Sequence, residues 1–149
     1  MYTVEEFDKE KTKVVKYIVY KKRTEKEVYR KFQGTIPENM LEDIIEYLKE
    51  NGYIQDKEYI AKAVQEYMLL QTLSQKEIEY KLYAKGISRD DIEEYWNLHQ
   101  EELQEYEIHS AKKIFQKKAN IMEEKDIVQY LLKKGYTREN IHEAQESQE

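Results

Sequence analysis

The chain has 149 residues, of which 38% are charged, and it contains four glycines, one proline and no cysteine. This composition favours helices with short connections, and the lack of cysteine excludes a disulfide framework and a thiolate metal site. A formal net charge of −6 argues against a uniformly basic nucleic-acid binder. Because no apolar run approaches the roughly 18 residues of a membrane span, we expect a cytoplasmic protein without membrane contacts.

The first third of the chain begins with residues 1–9, which lack apolar periodicity and are predicted to form a flexible arm. Apolar residues then recur over residues 11–22 at the spacing of one helical face. Thr24 and Glu27 have the spacing of a capping box, in which each residue satisfies the other's backbone at a helix start. We therefore predict a second helix after Thr24, ended by the glycine at Gly34.

A third helix is predicted after Pro37, because proline is tolerated in the first helical turn. Its apolar face runs from Leu41 to Leu48, and Gly52 ends it. Asp56 is then a candidate N-cap for a fourth helix. The first three helices define a unit over residues 10–54.

The stretch SQKEIEYKLYAKGISRDDI, residues 74–92, has the clearest cadence in the chain. Counted from the cap Ser74, apolar residues follow at 4 and 8, a glycine at 12, a second cap at 14 and an apolar residue at 18. The same intervals recur in the last third of the chain, at Glu123, Ile127, Leu131, Gly135, Thr137 and Ile141. A recurring cadence of this kind indicates tandem structural repeats.

The pattern predicts an all-α fold, an elongated and curved tandem array of three three-helix repeats whose last two helices resemble a helix-turn-helix. We assign residues 1–9 to the arm, 10–54 to repeat 1, 55–103 to repeat 2, 104–144 to repeat 3 and 145–149 to a frayed acidic tail. Repeat arrays of this size can act as monomers, and we expect one.

Four segments resemble, in order and at matching spacing, the repeats of the RecX family, bacterial regulators of the RecA recombinase. They are KVVKYIVYKKRTEKEVYRKF (13–32), YLKENGYIQDKEYIAKAV (47–64), KEIEYKLYAKGIS (76–88) and LLKKGYTRENI (131–141). One segment departs from the family: LLQTL (69–73) stands where a glycine-bearing, basic linker is usual. The resemblance implies a regulator that binds RecA protein on its DNA filament and inhibits or modulates recombination and coprotease activity in DNA repair and the SOS response.

Two basic clusters are the candidate contacts for the partner or for DNA. They are Lys21, Lys22, Arg23, Lys26, Arg30 and Lys31, and Lys112, Lys113, Lys117 and Lys118. Arg23, Lys26 and Arg30 would share one face if a helix continued across Thr24. The alternative for each cluster is a solvated face that only balances acidic neighbours.

Catalysis has little support in the sequence, because His99, His109 and His142 are scattered and no glycine-rich phosphate loop is present. We therefore expect a non-enzymatic protein without a metal or cofactor. An alternative function is sequence-independent nucleic-acid binding without RecA, which rests on the basic first repeat. Direct DNA binding by the RecA regulator itself is expected to be weak, given the acidic net charge.

Overall fold

The computed structural model describes residues 1–147, and within them the chain forms nine α-helices and no β-strand. They are α1 (Val4–Tyr20), α2 (Glu25–Phe32), α3 (Glu38–Glu50), α4 (Asp56–Leu70), α5 (Gln75–Ala84), α6 (Arg89–Leu98), α7 (Gln100–Lys118), α8 (Glu124–Lys134) and α9 (Arg138–Glu146). The all-α prediction is confirmed. The predicted frayed tail, 145–149, partly lies outside the described residues, and its first two residues belong to α9.

Each set of three helices has its own hydrophobic core. The buried residues form one cluster between Val14 and Ile54, a second between Ile60 and Tyr106 and a third between Ala111 and Ala144. The chain exposes 9897 Å², whereas a compact monomer of 18.2 kDa exposes about 8,100 Å². Three small cores and a large surface are the properties of a tandem array.

The first helix begins earlier than its apolar pattern predicts, so residues 4–9 are helical instead of an arm. The Thr3 side chain accepts a hydrogen bond from the backbone N–H of Glu6 and caps the helix at its first turn. Phe7 stacks on Tyr2 and meets the edge of Tyr47 in α3. Tertiary packing of one aromatic side chain therefore extends α1 beyond its periodic part.

The boundary between the second and third repeats also differs from the expected helix pattern. The sequence places the end of repeat 2 at residue 103, but α6 ends at Leu98 and α7 runs from Gln100 to Lys118. Leu103 packs in the second core and the same helix continues into the third. The predicted division at 103/104 thus falls inside α7, and His99 is half-buried against Tyr95 at 4.1 Å between ring centroids.

The predicted capping boxes are present at α2 and α5, where Thr24 pairs with Glu27 and Ser74 pairs with Glu77. The prediction for Asp56 is wrong, because Gln55 is the N-cap of α4 and Asp56 is its first residue. The Asp56 carboxylate instead accepts a hydrogen bond from another repeat. This contact belongs to a junction that the sequence pattern did not reveal.

The first junction joins repeats 1 and 2, where the start of α2 meets the end of α5. The Thr24 hydroxyl donates to the carbonyl of Lys85 at 2.6 Å, and the backbone N–H of Glu25 donates to the Asp56 carboxylate at 3.0 Å. The Lys85 ammonium lies 3.9 Å from the Glu27 carboxylate. A cap that serves its own helix therefore also binds the next repeat.

The second junction repeats this arrangement between repeats 2 and 3. The Ser74 hydroxyl donates to the carbonyl of Lys134 at 2.7 Å, and the N–H of Gln75 donates to the Glu107 carboxylate at 2.9 Å. The Lys134 ammonium lies 3.2 Å from the Glu77 carboxylate. The helices α8, α5 and α2 therefore follow one another end to end along the array.

Glycine is required at both junctions for space as well as for backbone conformation. Gly86 and Gly135 have φ angles of +87° and +100°, which a side chain disfavours. A Cβ at Gly86 would lie 2.4 Å from the Cβ of Lys26, and one at Gly135 would lie 2.7 Å from that of Lys76. The glycines that end α5 and α8 thus let the neighbouring repeat approach.

Candidate partner interface

The first basic cluster, 21–31, is divided by a break in the helix. α1 ends at Tyr20, Lys21 has an extended backbone and α2 begins at Glu25. The condition under which Arg23, Lys26 and Arg30 would share one helical face is therefore not met. The six residues instead lie in three places: beside Tyr17, at the first junction and beyond the end of α1.

Arg23 and Lys31 converge on the ring of Tyr17. The Arg23 guanidinium lies 4.2 Å from the ring centroid, and the Lys31 ammonium lies 5.8 Å from it. Cation–aromatic contacts of this length fix the position of a long basic side chain. The Arg23 Nε is buried without a hydrogen-bond partner. These two cations are the ordered part of the first cluster.

Lys26 and Arg30 face the first junction instead. The Lys26 side chain covers Gly86, and the Arg30 guanidinium is 3.4 Å from the carbonyl of Ala84. Lys21 and Lys22 are exposed beyond the end of α1, where Lys22 lies 3.8 Å from the Glu58 carboxylate. Three of the six residues of the first cluster, Lys22, Lys26 and Arg30, therefore contact residues of repeat 2.

The second basic cluster lies on α7, in repeat 3. Lys117 is exposed there, whereas Lys112, Lys113 and Lys118 are half-buried. The Lys118 ammonium lies 4.5 Å from the ring centroid of Tyr130 in α8. The second cluster is therefore partly engaged with its own repeat, and its role in partner binding stays a prediction.

A cation–aromatic pair occurs between the first two helices of every repeat, a feature that sequence reasoning missed. Tyr67 of α4 receives Lys81 of α5 at 5.8 Å, as Tyr17 of α1 receives Lys31 of α2. In repeat 3 the residue types are exchanged, since the lysine is on α7 and Tyr130 is on α8. The first two pairs are separated by 50 residues, so an alignment of the repeats would have shown them.

Tyr59 and Tyr67, both on the surface of α4 in repeat 2, are uncharged at neutral pH. Burial raises the pKa of Tyr59 to about 12 and also raises the pKa of Tyr67. The charge of this surface is therefore set by its lysines, arginines and carboxylates. It is a surface that can attract an oppositely charged partner without a titratable phenol taking part.

Within residues 1–147, no helix combines the length and the apolar character needed to cross a bilayer. In the same range, no three or more His, Asp or Glu side chains are arranged to hold a metal ion.

The fold and its surfaces define a helical-repeat protein with charged faces. No protein-family model matches the chain. Its sequence is similar to the regulatory protein RecX of Staphylococcus carnosus, with 36% identity over 138 residues, 89% of this chain and 51% of that protein. The RecX protein of Staphylococcus haemolyticus is 34% identical over 87% of this chain and 50% of its own length.

Solved structures agree with these relatives. The crystal structure of RecX from Lactobacillus salivarius superposes with a TM-score of 0.81 and 26% identity, over 97% of both chains. A second crystal structure of a regulatory protein RecX gives a TM-score of 0.79 and 25% identity, over 95% of this chain and 73% of that one. The chain belongs to the RecX family. It spans about half the length of the curated relatives that it matches.

Proposed function

We propose that this protein is a non-enzymatic cytoplasmic regulator that binds the RecA recombinase on its DNA filament. There it inhibits or modulates the recombination and coprotease activities used in DNA repair and the SOS response. The observation that carries the proposal is the sequence identity with regulatory proteins named RecX over nearly nine-tenths of the chain. The proposal concerns the chain of 149 residues, which is shorter than those relatives.

The architecture supports the proposal through multivalency. An array of three repeats can contact more than one subunit of a filament, and linked contacts raise the overall affinity without any single strong site. Its charges are divided, because the first cluster is basic and the start of α6 carries Asp90, Asp91, Glu93 and Glu94. A mixed surface of this kind suits a protein partner and predicts association that weakens with salt.

The proposal is tested by strand exchange and by cosedimentation with RecA filaments. We expect the purified chain to pellet with filaments on single-stranded DNA and to slow strand exchange at saturating concentration. Unchanged RecA activity, together with no cosedimentation at low salt, would show the proposal to be wrong. A pulldown on DNA without RecA serves as the control for binding to the nucleic acid alone.

A second candidate function is nucleic-acid binding without RecA. The observation that favours it is the cation–aromatic pair in each repeat, which holds Lys31, Lys81 and Lys118 at ordered positions. Ordered cations along one array could follow a phosphate backbone, and such binding would depend strongly on salt.

A gel shift at moderate salt separates the two candidates. The full chain is compared with a variant in which the four cations over aromatic rings, Arg23, Lys31, Lys81 and Lys118, are neutralised. A matched control neutralises four exposed cations elsewhere, namely Lys57, Lys125, Lys133 and Arg138. Tight binding that only the first variant loses would favour the second candidate, whereas no shift without RecA would favour the regulator.

A further inference from the structure

Two pairs of apolar side chains are exposed at equivalent positions of repeats 1 and 2. Val19 and Tyr20 at the end of α1 are 72% and 86% exposed, and Leu69 and Leu70 at the end of α4 are 80% and 60% exposed. Each pair starts five residues before its capping residue, Thr24 or Ser74. Side chains of this size at the same place in two repeats indicate a surface that a partner covers.

The segment with Leu69 and Leu70 is held in place by a strained turn. Gln71 has a φ of +56° and is the single non-glycine residue with positive φ within residues 1–147. Its carbonyl accepts a hydrogen bond from Ser110 at 2.8 Å, and the Tyr106 hydroxyl donates to the carbonyl of Leu73 at 2.6 Å. Strain of this kind persists only where surrounding contacts enforce it, and it is common at binding sites.

A groove runs beside these side chains along α4. A part of about 760 Å³ is lined by Met68, Leu69 and Tyr106, and an adjoining part of about 440 Å³ is lined by Val19 and Tyr20. Both parts share Lys22, Glu58, Lys62 and Glu66. The groove therefore connects Val19 and Tyr20 with Leu69. From Glu58 to Leu69, α4 rises by about 16 Å, the length of a three-turn helix.

Charge differs between the two ends of the groove. Among the charged residues that the two parts do not share, Lys21 and Lys85 line the part at the end of α1, whereas Glu102 lines the part near Leu69. A segment that lies in the groove is therefore best matched if it is acidic at one end and basic at the other. Its middle must be apolar, to cover Leu69 and Met68.

We propose that this groove binds an amphipathic helix of about three turns from a partner protein. The acidic end of the helix lies over Lys21 and Lys85, its apolar stripe covers Leu69, and its basic end faces Glu102. Helices with apolar residues at i, i+3, i+4 and i+7 commonly bind in such grooves. The choice of RecA as the test partner rests on the proposed function, but the groove itself does not depend on it.

The first experiment is cosedimentation with RecA filaments, with the full chain carrying Leu69→Lys and Leu70→Lys. The matched control carries Val4→Lys and Ile121→Lys, which are 76% and 74% exposed and line neither part of the groove. We expect the groove variant to weaken filament binding at least tenfold and the control to weaken it less than twofold. Circular dichroism and thermal unfolding verify that both variants stay folded.

The second experiment places a photo-crosslinking amino acid at Leu69 or, for comparison, at Ile121. We expect crosslinks from position 69 to a helical segment of RecA with an apolar stripe, and few from position 121. If the unmodified chain binds filaments but the groove variant binds equally well, the groove proposal is wrong and the proposed function stands. If the unmodified chain does not bind filaments, the proposed function is wrong.

Self-association is measured separately by sedimentation velocity without RecA. A dimer of the unmodified chain that the Leu69→Lys and Leu70→Lys variant loses would show that a second copy covers the groove, which would overturn the proposal. A monomer for both variants, with loss of filament binding in the groove variant only, is the expected result.

Discussion

The two junctions between repeats use the same chemistry but differ in how completely it is buried. At the first junction, the half-buried Asp56 accepts one hydrogen bond, from the N–H of Glu25. At the second, Glu107 is 1% exposed and accepts bonds from Gln75, Thr137 and Asn140. The same geometric arrangement is therefore more fully hydrogen-bonded and more deeply buried at the second junction. We expect repeats 2 and 3 to behave as one unit in unfolding and repeat 1 to be attached more weakly.

Other contacts support the same contrast. Next to Glu107, the buried hydroxyls of Ser110 and Tyr136 are hydrogen-bonded at 2.6 Å. The lysine–glutamate pair is also closer at the second junction, 3.2 Å against 3.9 Å. Because buried polar groups contribute most when all of their partners are present, the second junction should be the more costly one to disturb.

The largest expected effect is that of Glu107→Ala. It leaves three donors without an acceptor in a buried position, so we expect the free energy of unfolding to fall by about 3 kcal/mol. Asp56→Ala removes one acceptor from a half-buried site and should cost about 1 kcal/mol. Urea unfolding measures both. Equal losses would mean that the two junctions are equally strong.

The next prediction separates the stability cost of backbone strain from that of steric crowding at the junction glycines. Gly86→Ala and Gly135→Ala add a Cβ next to the neighbouring repeat at positive φ, and each should cost about 2–3 kcal/mol. Gly34→Ala is the control, because Gly34 has a φ of +92° but no atom within 4 Å of an added Cβ. It should cost only about 1 kcal/mol. A similar loss for all three would show that crowding contributes nothing.

A smaller effect is expected for the two capping hydroxyls. Thr24→Ala and Ser74→Ala each remove a helix cap and a hydrogen bond to the next repeat, and we expect each to cost about 1.5 kcal/mol. Thr24→Ser keeps both bonds and serves as the control. Amide hydrogen exchange at Glu25 and Gln75, whose N–H groups donate across the junctions to Asp56 and Glu107, should increase with the loss of the neighbouring hydroxyl. Unchanged exchange there would mean that the hydroxyl does not hold the junction.

The smallest effect concerns pH and the first junction. Burial raises the pKa of Asp56 above its ordinary value of 3.8. The folded state therefore binds a proton more readily than the unfolded chain, and Asp56 contributes stability as pH falls through its raised pKa. Asp56→Asn keeps an acceptor without the buried charge.

We expect the Asn variant to equal or exceed the wild-type stability at pH 7, by less than about 1 kcal/mol. The gain should shrink as pH falls through the raised pKa of the folded carboxyl towards the ordinary value of 3.8, because the wild-type carboxyl then loses its buried charge. Urea unfolding at pH 7, 5.5 and 4 measures the difference. A variant that is less stable at pH 7 would show that the charge itself strengthens the junction.

The helices and their repetition could be predicted because they depend on neighbours in the sequence. The intervals after Ser74 and Glu123 place caps, apolar residues and glycines within one or two helical turns, where local geometry decides the structure. The resemblance to RecX rests on the same segments. The candidate basic residues, by contrast, stay predictions, since charge in the sequence does not indicate which partner it meets.

The packing of the α1 extension on α3 and the role of Asp56 could not be predicted. Both depend on contacts between residues far apart in the chain, namely Phe7 with Tyr47 and Glu25 with Asp56. Periodicity cannot report such contacts, because it records which face of a helix is apolar and not what that face meets. The sequence pattern thus accounts for the all-helical fold, the two capping boxes and the repetition of the units. That the caps also join the repeats follows from the tertiary structure, because a hydroxyl or carboxylate finds its second partner after the units have packed.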